Sequence, residues 1–178
     1  ELPEVDEAAE LPGVCVCIPA RDEAMEIGPA LDSWLAQDYP GLAILVVDVQ
    51  QEYFDGPLRI QYPTPEIVRD TVVTAIAAAR AADVPVVLIE HENPASAVAF
   101  ATGSERQKLD PRLETFRDVP RFTKNKASVF TSGEFVEWLV EHDITVVTLA
   151  GFMTNNCLLA SAAAAEPLDY SVEILRDA

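Results

Sequence analysis

The chain contains three short apolar runs almost free of polar interruption: Leu42 to Val47, ending at Asp48; Val84 to Glu90; and Thr145 to Gly151. A strand with one wet face alternates polar and apolar residues. An unbroken run is the pattern of a strand buried on both faces, which requires a parallel sheet covered by helices above and below. The segments between the runs supply those helices. Glu66 to Ala82 carries Ile67, Val68, Val72, Ile76 and Ala79 as an inward stripe, Gly133 to His142 carries Phe135, Trp138 and Leu139, and Leu158 to Glu166 is rich in alanine. Val14 to Ile18 and Ser171 to Leu175 are expected as further strands, and Ala24 to Gln37, with Ile27, Leu31, Trp34 and Leu35 at helical spacing, as a further helix. Strands alternating with helices predict a three-layer α/β fold, its mostly parallel sheet having helices on both faces. Residues 92–123 show little periodicity and are expected as a long, mostly irregular excursion over the sheet edge.

A chain of 178 residues, 49% hydrophobic and 24% charged, is globular in composition. Its formal charge of −18, from 30 acidic and 12 basic residues, repels nucleic acid and anionic membrane surfaces, so neither is expected as a partner. No apolar stretch approaches the roughly 20 residues that span a bilayer. The opening Glu-Leu-Pro-Glu-Val-Asp-Glu does not resemble a signal peptide. Cys15, Cys17 and Cys157 form no zinc spacing, and a reducing, cytoplasmic setting is expected.

Chemistry gathers around Cys157. The segment Phe152-Met153-Thr154-Asn155-Asn156-Cys157 joins a buried strand to a helix, which puts the thiol at the first turn of that helix beyond the carboxyl end of the sheet. Ligands bind at that edge in open α/β sheets, and unpaired helix amides are expected to lower the thiol pKa there. Asp48 ends another strand on the same edge, and Lys124 precedes the helix that leads into the Cys157 strand. An ammonium favours a thiolate, a carboxylate can take and return its proton, and helix N-terminal amides can hold an oxyanion. Taken singly, each has a plainer reading: a buried structural cysteine, a turn-capping aspartate, a solvated lysine.

Three blocks in order resemble the isochorismatase-like cysteine hydrolase superfamily over residues 43–178. They are Leu45-Val46-Val47-Asp48-Val49-Gln50 with Tyr53-Phe54, then Lys124 four residues before Ser128-Val129-Phe130, then Gly151 to Cys157. The resemblance implies a Rossmann-like fold and an Asp48–Lys124–Cys157 triad. It further implies a cis peptide at Phe152–Met153 and an oxyanion hole from the Met153 and Cys157 amides. By the same resemblance, a small-molecule amide would be cleaved through a thioester, and the chain would form a homo-oligomer. Phe54, His91, Phe130 and Asn156 are the substrate-pocket candidates. Nicotinamidases of the superfamily add a metal held by one Asp and two His. With only His91 and His142, at the ends of different elements, this chain is expected to have no metal and no other cofactor.

Residues 13–42 depart from that pattern. Val14-Cys15-Val16-Cys17-Ile18-Pro19-Ala20-Arg21-Asp22-Glu23-Ala24 resembles the opening strand and helix of an A-type-fold nucleotide-sugar glycosyltransferase. The division expected is an acidic arm plus that unit over 1–42, and a hydrolase core over 43–178 that is short at its C-terminus, as in a chimera. Two other functions follow from this division: a folded but inactive, oligomerising α/β module, and a glycosyltransferase fragment. Against the second, the paired aspartates that family needs are replaced here by Asp48-Val49-Gln50.

Overall fold

The computed structural model describes residues 41–175. The strand at Val14–Ile18, the helix at Ala24–Gln37 and the acidic arm lie outside them. Five strands form one sheet: β1 (Leu42–Val47), β2 (Val86–His91), β3 (Arg121–Lys124), β4 (Val146–Gly151) and β5 (Ser171–Ile174), in the order β3-β2-β1-β4-β5. Every neighbouring pair is parallel. The described residues hold three α-helices, α1 (Pro65–Ala81), α2 (Gly133–Glu141) and α3 (Leu159–Ala165), besides shorter helical turns.

All six residues of β1 and of β4 are buried, as their unbroken apolar runs require. Alternate side chains feed two cores. Ile44, Val46 and Leu88 pack with Val68, Val72, Ile76 and Ala79 of α1 on one face. Ala43, Leu45, Val87, Val147 and Leu149 pack with Phe135 and Leu139 of α2, and with Leu158 just before α3, on the other. Helices thus cover both faces of a parallel sheet.

One expectation needs correction and one a refinement. Residues 92–123 are mostly irregular, but their end enters edge strand β3, paired from Leu88↔Arg121 to His91↔Lys124. Its four residues are too few to show a period, and only Lys124 among them is buried. Ile67 does not face the core: it is 51% exposed. The buried stripe runs Val68, Val72, Ile76, which leaves position 67 rotated by about 100° from its axis.

Strand order places β1 between β2 and β4, so the chain leaves β1 for one side of the sheet and later returns to the other. The crevice at the carboxyl ends of β1 and β4 is the topological switch point, the usual place for a ligand in an open α/β sheet.

Candidate active site

Asp48 is the first residue beyond β1. It has a positive φ of 56°, a conformation Asp tolerates better than most residues, and its amide donates to the Ile89 carbonyl at 2.8 Å. Opposite Val47 stands Gly151, the last residue of β4. There φ is 110°, and a Cβ would stand 2.2 Å from the Val47 carbonyl oxygen. Glycine therefore lets the two strand exits touch, and the Phe152 amide donates to that same carbonyl at 2.9 Å. The chain then passes a cis Phe152–Met153 peptide and a π-helical turn, Thr154–Leu158, which carries Cys157.

Lys124, the last residue of β3, reaches the same point. Its Nζ lies 2.7 Å from Asp48 Oδ2, 3.1 Å from His91 Nδ1, 3.2 Å from the Lys126 carbonyl oxygen and 3.4 Å from Cys157 Sγ. An ammonium has three protons to donate and accepts none, so His91 Nδ1 must be the acceptor. His91 Nε2–H then donates to Asn93 Oδ1 at 3.2 Å, and Asn93 Nδ2 donates to the Ala99 carbonyl at 3.1 Å. This chain of bonds fixes the neutral tautomer of His91. The Asp48, His91 and Cys157 acceptor atoms all lie within 4.8 Å of one another.

The cluster is almost dry. The side chains of Asp48 and Lys124 are fully buried, and Cys157 is 3% exposed. Burial is the largest influence on Asp48 and raises its pKa, against the opposing pull of the Lys124 ammonium and the Cys157 thiol. Burial and the Asp48 charge push the Cys157 thiol up to about 12, outweighing Lys124. Burial, then Lys124, lowers the pKa of His91. The sequence expectation for Cys157 is thus reversed. The π turn seats the sulfur inside the cluster beside a carboxylate, where desolvation and like charge raise its pKa.

The remaining candidates lie on separate elements. Phe54 sits edge-on to Phe152, ring centroids 6.0 Å apart. Asn156 is exposed on the π turn. Phe130 stacks on Tyr170 at 5.3 Å and meets Phe135, so it belongs to the core on the α2 and α3 side. His142 bonds the Trp138 carbonyl and stacks on the Trp138 ring at the end of α2. With only two histidines in the chain and one of them there, an Asp–His–His metal set is not assembled.

Three supporting residues went unassigned in the sequence reading. Gln50 pairs with both backbone groups of His91, Nε2 to its carbonyl at 2.9 Å and Oε1 from its amide at 2.8 Å. Asn93 orients the His91 ring. Ser161 donates to the Cys157 carbonyl at 2.6 Å and accepts from the Val129 amide at 3.0 Å, which ties the cysteine turn to the loop after Lys124. Only the Gln50 position stood in a recognised motif; nothing in the sequence marks the other two.

A parallel sheet whose switch point buries a thiol, a carboxylate and an ammonium close together defines an α/β protein with its candidate site at the carboxyl edge of the sheet. The sequence model of the isochorismatase domain matches residues 42–178, and the chain belongs to the isochorismatase family of hydrolases. A protein of Burkholderia xenovorans LB400 assigned to the isochorismatases is 36% identical, with a TM-score of 0.74 over 78% of this chain and 66% of that one, just under two thirds of its length. The secreted isochorismatase effector of Verticillium dahliae is 26% identical over 135 residues, 76% of this chain and 70% of the relative. The nicotinamidase of Bacillus subtilis is similar in fold, with 22% identity and a TM-score of 0.66 over 75% of this chain and 83% of that one. The glycosyltransferase resemblance of residues 13–42 lies outside the matched span and is not borne out. Among the described residues, no helix is long and apolar enough to cross a membrane.

Proposed function

We propose that the protein is a cysteine hydrolase that cleaves a C–N bond of a small amide, with Cys157 as nucleophile, Asp48 as proton carrier and Lys124 as the fixed positive charge between them. The observation that carries this reading is the placement of Lys124 Nζ, 2.7 Å from Asp48 Oδ2 and 3.4 Å from Cys157 Sγ, with the side chains of Lys124 and Asp48 both fully buried.

A thiol held near 12 rests protonated at neutral pH. The thiolate therefore forms only as Sγ attacks the carbonyl carbon, with Asp48 accepting the proton in the same step. The raised pKa of Asp48 suits that task, because a buried carboxylate is a stronger base than a solvated one. The developing oxyanion falls to the amides of Met153 and Cys157; that of Met153 has no backbone acceptor among the described residues. Collapse of the tetrahedral adduct breaks the C–N bond, and Asp48 returns its proton to the leaving nitrogen. Water, deprotonated by Asp48, then attacks the thioester, and the acid leaves as the thiol reforms. Lys124, bonded to Asp48 Oδ2, opposes the effect of burial on that carboxylate.

The test is a panel of small amides, including nicotinamide and an N-carbamoyl amino acid, assayed for ammonia, with isochorismate as a vinyl-ether control. Ammonia release that vanishes in Cys157→Ala supports the reading. Turnover that survives Cys157→Ala, or cleavage of isochorismate alone, overturns it.

A further inference from the structure

The four acceptors around Lys124 Nζ form a coordination shell with an ammonium at its centre. Asp48 offers a carboxylate, His91 an imidazole nitrogen and Cys157 a sulfur, all within 4.8 Å of one another. Two further features exceed what an ion pair needs. Asp48 Oδ1 is buried with no hydrogen-bond partner, so half of this carboxylate's binding capacity is unspent. His91 has its Nδ1 lone pair turned inward because Nε2–H is held by Asn93 Oδ1, and Asn93 is itself held by the Ala99 carbonyl. An outer partner that fixes the tautomer of an imidazole is the usual support of a metal-ligating histidine.

We propose that Asp48, His91 and Cys157 form a reversible site for a borderline-soft divalent cation of the Zn2+ type, which Lys124 occupies as a competing cation when the metal is absent. One oxygen, one nitrogen and one sulfur donor select Zn2+ over Mg2+ or Ca2+, which prefer all-oxygen shells. Zinc bonds of about 2.0–2.3 Å require each ligand to close on the centre by roughly 1 Å. On binding, Cys157 releases its thiol proton to solvent and an S–Zn bond forms; Asp48 and neutral His91 donate lone pairs, and water takes the fourth position. No group is oxidised or reduced. Lys124 keeps its proton and turns out. A cavity of ≈ 580 Å3 adjoins it, lined by Lys124 itself together with Glu92 and Glu134, whose carboxylates suit a displaced ammonium. The bound metal ties up both nucleophile and base, so it is an inhibitor and not a cofactor. Inhibition rests on the hydrolase reading above, whereas binding does not.

The experiment uses the full chain with Cys15→Ser and Cys17→Ser, which removes the competing Cys-x-Cys pair. Zn2+ is titrated by calorimetry and Co2+ by absorption. The expected result is one metal per chain with a thiolate-to-cobalt charge-transfer band that is lost in Cys157→Ala. His91→Ala is expected to lose tight binding, and Asn93→Ala to weaken it about 10–100-fold. Lys124→Met is expected to tighten it by roughly tenfold or more, since a like-charged competitor is gone. Should Lys124→Met not fold, the parent band and its weakening in Asn93→Ala decide the matter. Absence of the band, or an affinity indifferent to His91 and Asn93, overturns the metal site while leaving the amide panel in metal-free buffer unaffected. A silent panel with the band intact overturns the hydrolase reading alone.

Discussion

Two of the buried carboxyl groups, those of Glu173 and Asp48, are treated in opposite ways. Glu173, on edge strand β5, accepts a hydrogen bond from the Thr148 hydroxyl at 3.0 Å. Burial pushes its pKa up to about 7, with only that bond opposing. Asp48, at the carboxyl end of central strand β1, is also raised by burial but has an ammonium at 2.7 Å. A lone buried acid relieves its desolvation by taking up a proton. An acid paired to an ammonium has that charge opposing its desolvation, and the pair must be held by its surroundings, here His91, Lys126, Gln50 and Ser161. Glu173 has one polar contact; the Asp48 cluster has a scaffold. That difference separates an isolated buried acid from one held in a polar network.

The largest test of the contrast removes the ammonium. Lys124→Met leaves Asp48 buried and unpaired, and urea denaturation is expected to show a loss of about 3–5 kcal/mol. A loss below about 1 kcal/mol would mean that Asp48 is already neutral, like Glu173. Next comes Asp48→Asn, which is expected to slow amide hydrolysis by roughly 10²–10⁴-fold. The same change should speed iodoacetamide labelling of Cys157 at neutral pH, because a like charge that raises the thiol pKa has gone. Slower hydrolysis without faster labelling would detach Asp48 from the thiol.

Ser161→Ala tests the scaffold. It deprives the Val129 amide and the Cys157 carbonyl of a buried partner, and a thermal melt should show roughly 1–3 kcal/mol lost. An unchanged melt would mean that the two segments hold their places without it. The smallest effect belongs to Glu173→Gln. Folding raises the Glu173 pKa from 4.5 to about 7, so the folded state binds more protons and stability falls as pH rises across that window. Gln keeps an acceptor for Thr148 but cannot ionise, so the variant should gain on the order of 1 kcal/mol above pH 7 and nothing at pH 4. Parallel stability curves for both proteins would show that Glu173 titrates normally.

Much of the architecture was legible because full burial leaves a mark on composition: β1 and β4 read as apolar runs, and α1 as a stripe from Val68 to Ala79. The three chemical residues were legible because each sits at a strand exit or at the turn beyond one, in a recognisable block. Edge strand β3 was not, since half-exposed Arg121-Phe122-Thr123 looks like loop. The thiol pKa was misread for a different reason. Position in a turn can be inferred from sequence, but the distance from Cys157 to Asp48 depends on how closely Gly151 lets β4 approach β1. Asn93 and Ser161 act only through distances of that kind, and nothing in the surrounding sequence singles them out.

The most direct measurement is the pH dependence of Cys157 alkylation, read on the peptide by mass spectrometry, in the native chain, in Asp48→Asn and in Lys124→Ala. The cluster predicts opposite displacements: the apparent pKa of Cys157 falls in Asp48→Asn and rises in Lys124→Ala. Displacements of the same sign, or no displacement in either variant, would contradict it.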